Sequence, residues 1–81
     1  MNSDKLRIAF GKALLNLRKE NGVSQQELGD SCEVERAYIS RIERGLQLPS
    51  LTVIFKLSSF FKITPGELVD KTYLLVKKSK S

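Results

Sequence analysis

The chain contains no histidine and a single cysteine, Cys32, among its 81 residues. One cysteine cannot form a disulfide within the chain, and a conventional Cys/His zinc site cannot be assembled without histidine. A glycine-rich phosphate loop and a nucleophile with an adjacent base are also missing from the sequence. We therefore expect no metal, no cofactor and no enzymatic activity. Cys32 follows Leu28 at helical spacing, which favours a small buried apolar residue over a redox sensor.

Long apolar runs are absent too, since no stretch approaches the ~20 residues that cross a bilayer. The N-terminal segment MNSDKLRIAFGK lacks a signal-peptide cleavage pattern. We expect a cytoplasmic location and no membrane partner. The length predicts one domain, and so small a chain buries only about 60 to 65 per cent of its unfolded surface. Dimerisation would add stability.

The formal net charge is +5 at pH 7, but the excess of basic residues is unevenly distributed. Four of these charges belong to Lys71, Lys77, Lys78 and Lys80, whereas residues 1–70 carry ten basic and nine acidic side chains. The net charge is therefore a poor indicator of nucleic-acid binding. The positions of the arginines in the middle of the chain are a better one.

Apolar residues recur at three- and four-residue steps near the N terminus. This spacing predicts a first helix from Ser3 or Asp4 to Asn21, ended by Gly22. Its apolar stripe consists of Leu6, Phe10, Ala13, Leu14 and Leu17.

Residues 24–45, SQQELGDSCEVERAYISRIERG, predict two short helices joined by a tight turn. Ser24 and Glu27 form an S-x-x-E capping box, so the second helix should begin at Gln25. Gly29 lies where a missing side chain would let a second helix backbone approach closely.

After a break near Glu33, a third helix should run from the capping residue Glu35 to about Arg44, closed by Gly45 as a C′ glycine. Ile39 and Ile42 form its buried stripe. Facing away from that stripe are Arg36, Ala37, Ser40 and Arg41.

Two more helices should follow. Ser50 is a suitable N-cap for the fourth, and the segment TPGE at residues 64–67 repeats the capping-box pattern with Pro65 at the first helical position. The fifth helix should therefore be short. The core residues expected in the fourth helix are Leu51, Ile54, Phe55, Leu57 and Phe61, and the fifth helix should carry Leu68 and Val69.

The chain thus divides into a domain over residues 1–70 and a basic tail over residues 71–81. The tail residues Tyr73, Leu74, Leu75 and Val76 are too apolar for a solvated tag. They extend the fifth helix, pair as a strand across a two-fold axis, or pack on their own domain. Either of the first two arrangements would contribute to a dimer.

The run S-Q-Q-E-L, then A-Y-I-S-R-I-E-R-G, then L-P-S resembles the Xre or Cro/CI-type helix-turn-helix proteins, which include phage repressors and the controller proteins of restriction-modification systems. The resemblance covers roughly residues 5–69, and E-R-A-Y-I-S is especially similar to the controller proteins. It implies an all-α, compact five-helix, lambda-repressor-like domain. It also implies a sequence-specific transcription regulator that binds a pseudo-palindromic operator of double-stranded DNA as a homodimer.

The outward residues of the third helix are the predicted base readers. Arg36 lies at the end that reaches deepest into a major groove, where its fork matches guanine O6 and N7. Ala37 offers a methyl group to thymine or is simply a good helix former. Tyr38 contacts DNA, as the controller resemblance implies, or packs on its own domain. Ser40 and Arg41 lie one turn further along.

Other residues are predicted to hold the phosphate backbone. Arg44 lies beside the helix end and suits a phosphate better than a base. The resemblance implies that Gln25 approaches a phosphate at the start of the second helix, helped by the helix dipole, and Gln26 can assist.

The resemblance further implies a structural ion pair between Arg18 and Glu43. We expect it to be bidentate and partly buried, and to hold the third helix against the first.

Two residues depart from the family pattern. Glu33 stands where many relatives have Gly or Asn, so the turn differs or its backbone is strained. Glu35 places an acid near DNA, where it repels phosphates, accepts from cytosine, or holds Arg36 or Tyr38.

A second function class remains open: a helix-turn-helix module of antitoxin or adaptor type that binds protein, with Phe60, Tyr73 and Leu75 as its surface. RNA polymerase is a further possible partner, with Asp30, Glu33 and Glu35 as candidate contacts.

Overall fold

The computed structural model describes residues 2–78. Within this range the chain forms five α-helices and no strand, which confirms the predicted all-α class. Lys80 and the rest of the predicted tail beyond residue 78 lie outside the described residues. The helices are α1 (Ser3–Glu20), α2 (Gln25–Cys32), α3 (Arg36–Glu43), α4 (Leu51–Phe60) and α5 (Pro65–Lys78).

The first helix begins where the sequence predicts. The side chain of the N-cap residue Asn2 accepts a hydrogen bond from the backbone N–H of Lys5 at 2.8 Å, which satisfies one of the free donors of the first turn. The helix ends at Glu20, with Gly22 in a left-handed conformation just beyond it. Most of the predicted stripe is buried, namely Phe10, Ala13, Leu14 and Leu17, while Leu6 is half-buried.

All five helices contribute to one hydrophobic core. Cys32 belongs to it with 1% of its surface exposed, and burial raises the pKa of its thiol. The prediction of a small buried apolar residue is confirmed. The core residues with no exposed surface are Leu14, Leu28, Ile39, Ile42, Leu57 and Leu68.

Two glycines allow the backbones around α3 to approach closely. A Cβ atom at Gly11 would lie 2.4 Å from the carbonyl oxygen of Ile42, so α1 and α3 are in contact through their main chains. A Cβ atom at Gly29 would lie 2.7 Å from the carbonyl oxygen of Val34. The close approach predicted at Gly29 is confirmed, whereas the one at Gly11 has no counterpart in the sequence prediction.

The packing of α4 differs from the prediction. Leu57 is fully buried, but Leu51 and Phe55 are 69% and 56% exposed, so their assignment to the core is wrong. Val53 is buried instead and lies four residues before Leu57, on the same face of the helix. Because apolar residues surround most of α4, the sequence does not show which face meets the core.

The fifth helix is not short: it runs without interruption from Pro65 to Lys78. Of the three arrangements open for the tail, two are found together: the fifth helix is extended, and the extended helix packs on its own domain along α1. Leu68 and Thr72 are its buried residues, whereas Val69 is 50% exposed. The predicted domain boundary at residue 70 falls inside α5.

Candidate nucleic-acid interface

The helix-turn-helix segment starts with the predicted capping box. The hydroxyl of Ser24 accepts from the backbone N–H of Glu27 at 3.0 Å, and the Glu27 carboxylate accepts from the backbone N–H of Ser24 at 2.9 Å. Hydrogen bonding from Ser24 to the Glu27 carboxylate, from its backbone N–H above all and then from its side chain, lowers the pKa of Glu27. Two donors that α2 itself cannot satisfy are thereby paired, and α2 begins at Gln25 as predicted.

The turn between the two helices contains a strained residue. Glu33 ends α2 with φ 61° and ψ 40°, in the left-handed region. Of the two possibilities raised by this departure from the family pattern, the strained backbone is therefore the one present. The next residue, Val34, donates its N–H to the carbonyl of Gly29 at 2.9 Å and packs against the core. The strain at Glu33 thus accompanies a turn that directs α3 back across α2.

The third helix buries one face and exposes the other. Ile39 and Ile42 have no exposed surface, as predicted. Glu35 is the N-cap residue, but its side chain makes no capping hydrogen bond. We define the outer face of α3 by four residues, of which the first two are exposed and the last two half-buried: Arg36, Ala37, Ser40 and Arg41.

The predicted ion pair joins α1 to the end of α3. The Nε atom of Arg18 donates to Oε2 of Glu43 at 2.6 Å, and its Nη2 atom donates to Oε1 at 2.9 Å, so the contact is bidentate. The remaining Nη1 atom donates to the carbonyl of Val23 at 3.0 Å. The hydrogen bond to Glu43 raises the pKa of Arg18. The side chains are only 14% and 4% exposed, which confirms the predicted partly buried pair.

Gln25 connects this pair to the outer face of α3. Its amide nitrogen donates to Oε1 of Glu43 at 2.9 Å, and its amide oxygen accepts from Nη1 of Arg36 at 3.4 Å. A continuous set of hydrogen bonds therefore runs from Arg18 through Glu43 and Gln25 to Arg36. The sequence prediction treated Gln25 only as a phosphate contact and did not anticipate this bridging position.

Tyr38 is half-buried and packs against the core. Its hydroxyl accepts a hydrogen bond from the backbone N–H of Ser50 at 3.3 Å. The guanidinium carbon of Arg41 lies 5.8 Å from the centre of its ring, at the distance of a cation–π contact. The structure thus shows Tyr38 packed on its own domain with one side of the ring next to Arg41, and its contact with DNA stays a prediction.

One polar residue near the outer face was missed. The Nε atom of Arg41 donates to the side-chain oxygen of Gln47 at 2.9 Å. Gln47 lies in the loop after α3, between two leucines, and belongs to no helical pattern. The only signal in the sequence was its short distance from the C′ glycine, Gly45, after which the chain turns back on the helix that it has left.

The two remaining predicted residues lie at the edges of the region. The amide of Gln26 donates to Asp30 on the same helix at 2.9 Å, so Gln26 is not connected to the outer face of α3. Arg44 is exposed at the end of α3, and its Nε atom donates to the backbone carbonyl of Ser40 at 3.4 Å. Both residues are exposed, and their contact with phosphate stays a prediction.

The geometry of α2, turn and α3 agrees with a comparison to known protein families. A family model named HTH_3 and described as helix-turn-helix matches residues 14–68. The chain belongs to the HTH_3 helix-turn-helix family. This family assignment confirms the predicted Xre or Cro/CI-type class and includes both helices of the interface.

The relatives of this HTH_3 protein include controller proteins. It is 35% identical over 71 residues to the control protein C.BamHI of Bacillus amyloliquefaciens, with 86% of this chain and 88% of that protein covered. The crystal structure of the restriction-modification controller protein C.AhdI from Aeromonas hydrophila matches with a TM-score of 0.73 and 37% identity, covering 76% of this chain and 94% of that one.

A solved structure with DNA is also similar. The biofilm master regulator SinR, crystallised in complex with DNA, matches with a TM-score of 0.70 and 35% identity, covering 75% of this chain and 98% of that one. The family consists of DNA-binding transcriptional regulators rather than enzymes, and this HTH_3 protein is a DNA-binding regulator of that class.

Among residues 2–78, no helix has both the length and the apolar character needed to span a membrane. The same residues contain no group of three or more Asp, Glu, Cys or His side chains arranged to hold a metal ion.

Proposed function

We propose that the chain binds a pseudo-palindromic operator as a homodimer and regulates transcription in the manner of a controller protein or Cro. Each protomer places α3 in the major groove, and the two grooves are successive, about 34 Å apart. The observation that carries the proposal is the outer face of α3, which is accessible, contains two arginines and is bonded to the rest of the domain through Gln25 and Gln47.

Arg36 is the main base reader in this proposal. It is the first residue of α3, and its side chain is exposed, with one terminal nitrogen bonded to Gln25. An arginine at this end of a recognition helix forms bidentate hydrogen bonds with guanine. Ala37 is exposed beside it and supplies a methyl group for thymine. The hydroxyl of Ser40, one turn further along, accepts or donates a hydrogen bond at a base edge.

Backbone contacts position the helix without reading sequence. The N terminus of α2 points free N–H groups and the positive end of the helix dipole toward a phosphate, beside Gln25 and Gln26. Arg44 holds a phosphate near the end of α3. These contacts fix the register that lets Arg36 and Arg41 meet base edges.

Dimer formation is supported by exposed apolar side chains on the last two helices. Leu51 and Phe55 on α4, and Val69 and Tyr73 on α5, are each at least half exposed. Within each helix the two residues are four positions apart, on one face, and exposed apolar faces of this kind mark interaction sites. We assign these residues to the contact between protomers, and sedimentation velocity across a concentration series tests the assignment.

Selection of bound sequences from random DNA, combined with affinity measured at increasing salt, tests the function. A symmetric site with two half-sites about one helical turn apart is expected, and several phosphate contacts require a steep fall of affinity with salt. The double variant Arg36→Ala/Arg41→Ala should lose the selected sequence. Lys71→Ala removes the same kind of charge from an exposed position on α5 and should keep it.

Two results would contradict the proposal. If the folded protein bound no oligonucleotide even at low ionic strength, the assignment of α3 to the major groove would fail. If affinity were independent of salt while a protein partner bound tightly, the adaptor or antitoxin class would replace it. Contact with RNA polymerase through the exposed Asp30, Glu33 and Glu35 would appear separately, as a loss of activation in their alanine variants with DNA binding unchanged.

A further inference from the structure

Arg41 is held from two sides in the free protein. Its Nε atom donates to Gln47 at 2.9 Å, and its guanidinium lies 5.8 Å from the ring of Tyr38. Tyr38 is itself fixed, because its hydroxyl accepts from the backbone N–H of Ser50 at 3.3 Å. The loop of residues 46–50 therefore holds Arg41 directly through Gln47 and indirectly through Ser50 and Tyr38.

The backbone after α3 explains how Gln47 reaches Arg41. The N–H of Gly45 donates to the carbonyl of Ile42, and the N–H of Leu46 donates to the carbonyl of Arg41, each at 3.0 Å. These two bonds form a Schellman motif, which needs the left-handed conformation that Gly45 adopts at φ 75°. Gln47 is the first residue after the motif, so its position relative to Arg41 is set by main-chain hydrogen bonds.

Because Gln47 accepts from the Nε atom of Arg41, it determines which guanidinium nitrogens remain available to bind DNA. With Nε engaged, the side edge of the guanidinium is occupied and only its terminal edge is available. Among residues 2–78, neither terminal nitrogen of Arg41 makes a hydrogen bond. Two parallel N–H donors on one edge match the O6 and N7 acceptors of guanine.

We propose that Gln47 is a positioning residue that makes Arg41 a reader of guanine through its two terminal nitrogens. The inference rests on the proposed function and deepens it by naming the base and the residue that controls it. Gln47 acts by restricting a flexible side chain before DNA is bound, because an unrestrained arginine would lose rotamer freedom on binding. Arg36 differs, since one of its terminal nitrogens is already bonded to Gln25.

Base preferences selected from random DNA by four variants test this role. The wild-type protein should prefer guanine at a second position of each half-site, beside the one that Arg36 reads, and Arg41→Ala should abolish the preference at that second position only. Gln47→Met keeps the length of the side chain but removes the acceptor, and should reduce the preference by about tenfold. Gln47→Glu keeps an acceptor for Nε and should retain the preference, although its charge weakens overall binding.

The double variant Arg41→Ala/Gln47→Met separates positioning from direct contact. If Gln47 acts through Arg41, the double variant should have the same base preference as Arg41→Ala alone. Additive losses of operator affinity in the double variant would show that Gln47 contacts DNA itself, and an unchanged base preference in Gln47→Met would show that Gln47 has no role in reading; either result overturns the inference. The NMR signal of the Arg41 Nε–H provides a check without DNA: it should shift in Gln47→Met and persist in Gln47→Glu.

Failure of the proposed function gives a different result. In that case the wild-type protein selects no sequence at all, whereas failure of the inference leaves a selected operator in which Gln47→Met makes no difference. Thermal melts of every variant establish that the fold is retained.

Discussion

Arg18 and Glu43, 25 positions apart, are joined by two parallel hydrogen bonds of 2.6 and 2.9 Å. Through them the last turn of α1 is fastened to the last turn of α3. Both side chains are largely buried, with Glu43 the more so at 4% exposure against 14% for Arg18. Removing one member of such a pair leaves a buried charge without its counterion, while replacing both by apolar residues does not.

Single and double replacements of this pair should therefore differ strongly. We expect Arg18→Met and Glu43→Leu each to lower the free energy of unfolding by ~3 to 5 kcal/mol. Arg18→Met should be the more destabilising of the two, because it leaves the Glu43 carboxylate, the more buried charge, with only Gln25 as a hydrogen-bond partner. The double variant should recover most of the loss. Urea denaturation of all three gives the comparison, and small additive losses would contradict a coupled pair.

The double variant Arg18→Met/Glu43→Leu should recover its folding stability without recovering its full affinity for DNA. Glu43 also accepts from Gln25, which in turn accepts from Arg36, so the apolar replacement frees the residue that holds the base reader. We expect operator affinity to stay several-fold below that of the wild-type protein in Arg18→Met/Glu43→Leu. Equal affinity would mean that the network has a structural role only.

The main-chain contact at Gly11 should tolerate no side chain. A Cβ atom there would lie 2.4 Å from the Ile42 carbonyl oxygen and 2.9 Å from that of Glu43, both of which are backbone atoms. Gly11→Ala should therefore lower the free energy of unfolding by about 1 to 3 kcal/mol by pushing α3 away from α1. Gly66→Ala is the matched control, because a Cβ atom there meets nothing closer than 3.8 Å. A stable Gly11→Ala protein would contradict the close packing of α1 and α3.

The left-handed residue in the turn offers a gain in stability. Glu33 has φ 61°, a conformation that costs a residue with a Cβ atom but not glycine. Glu33→Gly should raise the free energy of unfolding by about 1 kcal/mol. The substitution also removes an exposed ion pair with Lys56, and Lys56→Ala measures that loss alone, which should be small. A destabilised Glu33→Gly protein would show that the ion pair outweighs the backbone strain.

The capping box predicts a pH dependence at the start of α2. Hydrogen bonds from Ser24 hold the pKa of Glu27 below its usual range. A carboxyl with a depressed pKa in the folded state contributes stability that is complete above its unfolded pKa, about 4.3, and is lost as the pH falls through the folded value. Ser24→Ala removes only the side-chain bond, so NMR titration should find the pKa raised part of the way. An unchanged pKa of Glu27 in Ser24→Ala would contradict the capping box.

Local patterns determine most of the helix starts. Ser24, Ser50 and Thr64 were each predicted as caps, and in the structure each side chain accepts from the backbone N–H three residues later. The break near Glu33 and the C′ glycine at Gly45 were predicted for the same reason. Such signals are readable because the donor and acceptor lie within one turn of each other in the chain.

Residues far apart in the chain were predictable only where a family resemblance supplied the pairing. The contact between Arg18 and Glu43 came from that source, and no spacing rule would have found it. The bridging position of Gln25 and the contact of Gln47 with Arg41 were not predicted. Both depend on how the ends of α3 lie against α2 and against the following loop.

The sequence by itself determined that the chain is all helical, where α1 to α5 begin and which side of α3 faces outward, because capping and helical periodicity act over a few residues. Only the tertiary structure decided that Leu51 and Phe55 are exposed, that α5 continues to Lys78 along α1, and that Gln47 holds Arg41. The physical reason is that burial and side-chain pairing depend on which helix faces meet, and a helix that is apolar on several sides packs by the shape of its neighbours rather than by its own pattern.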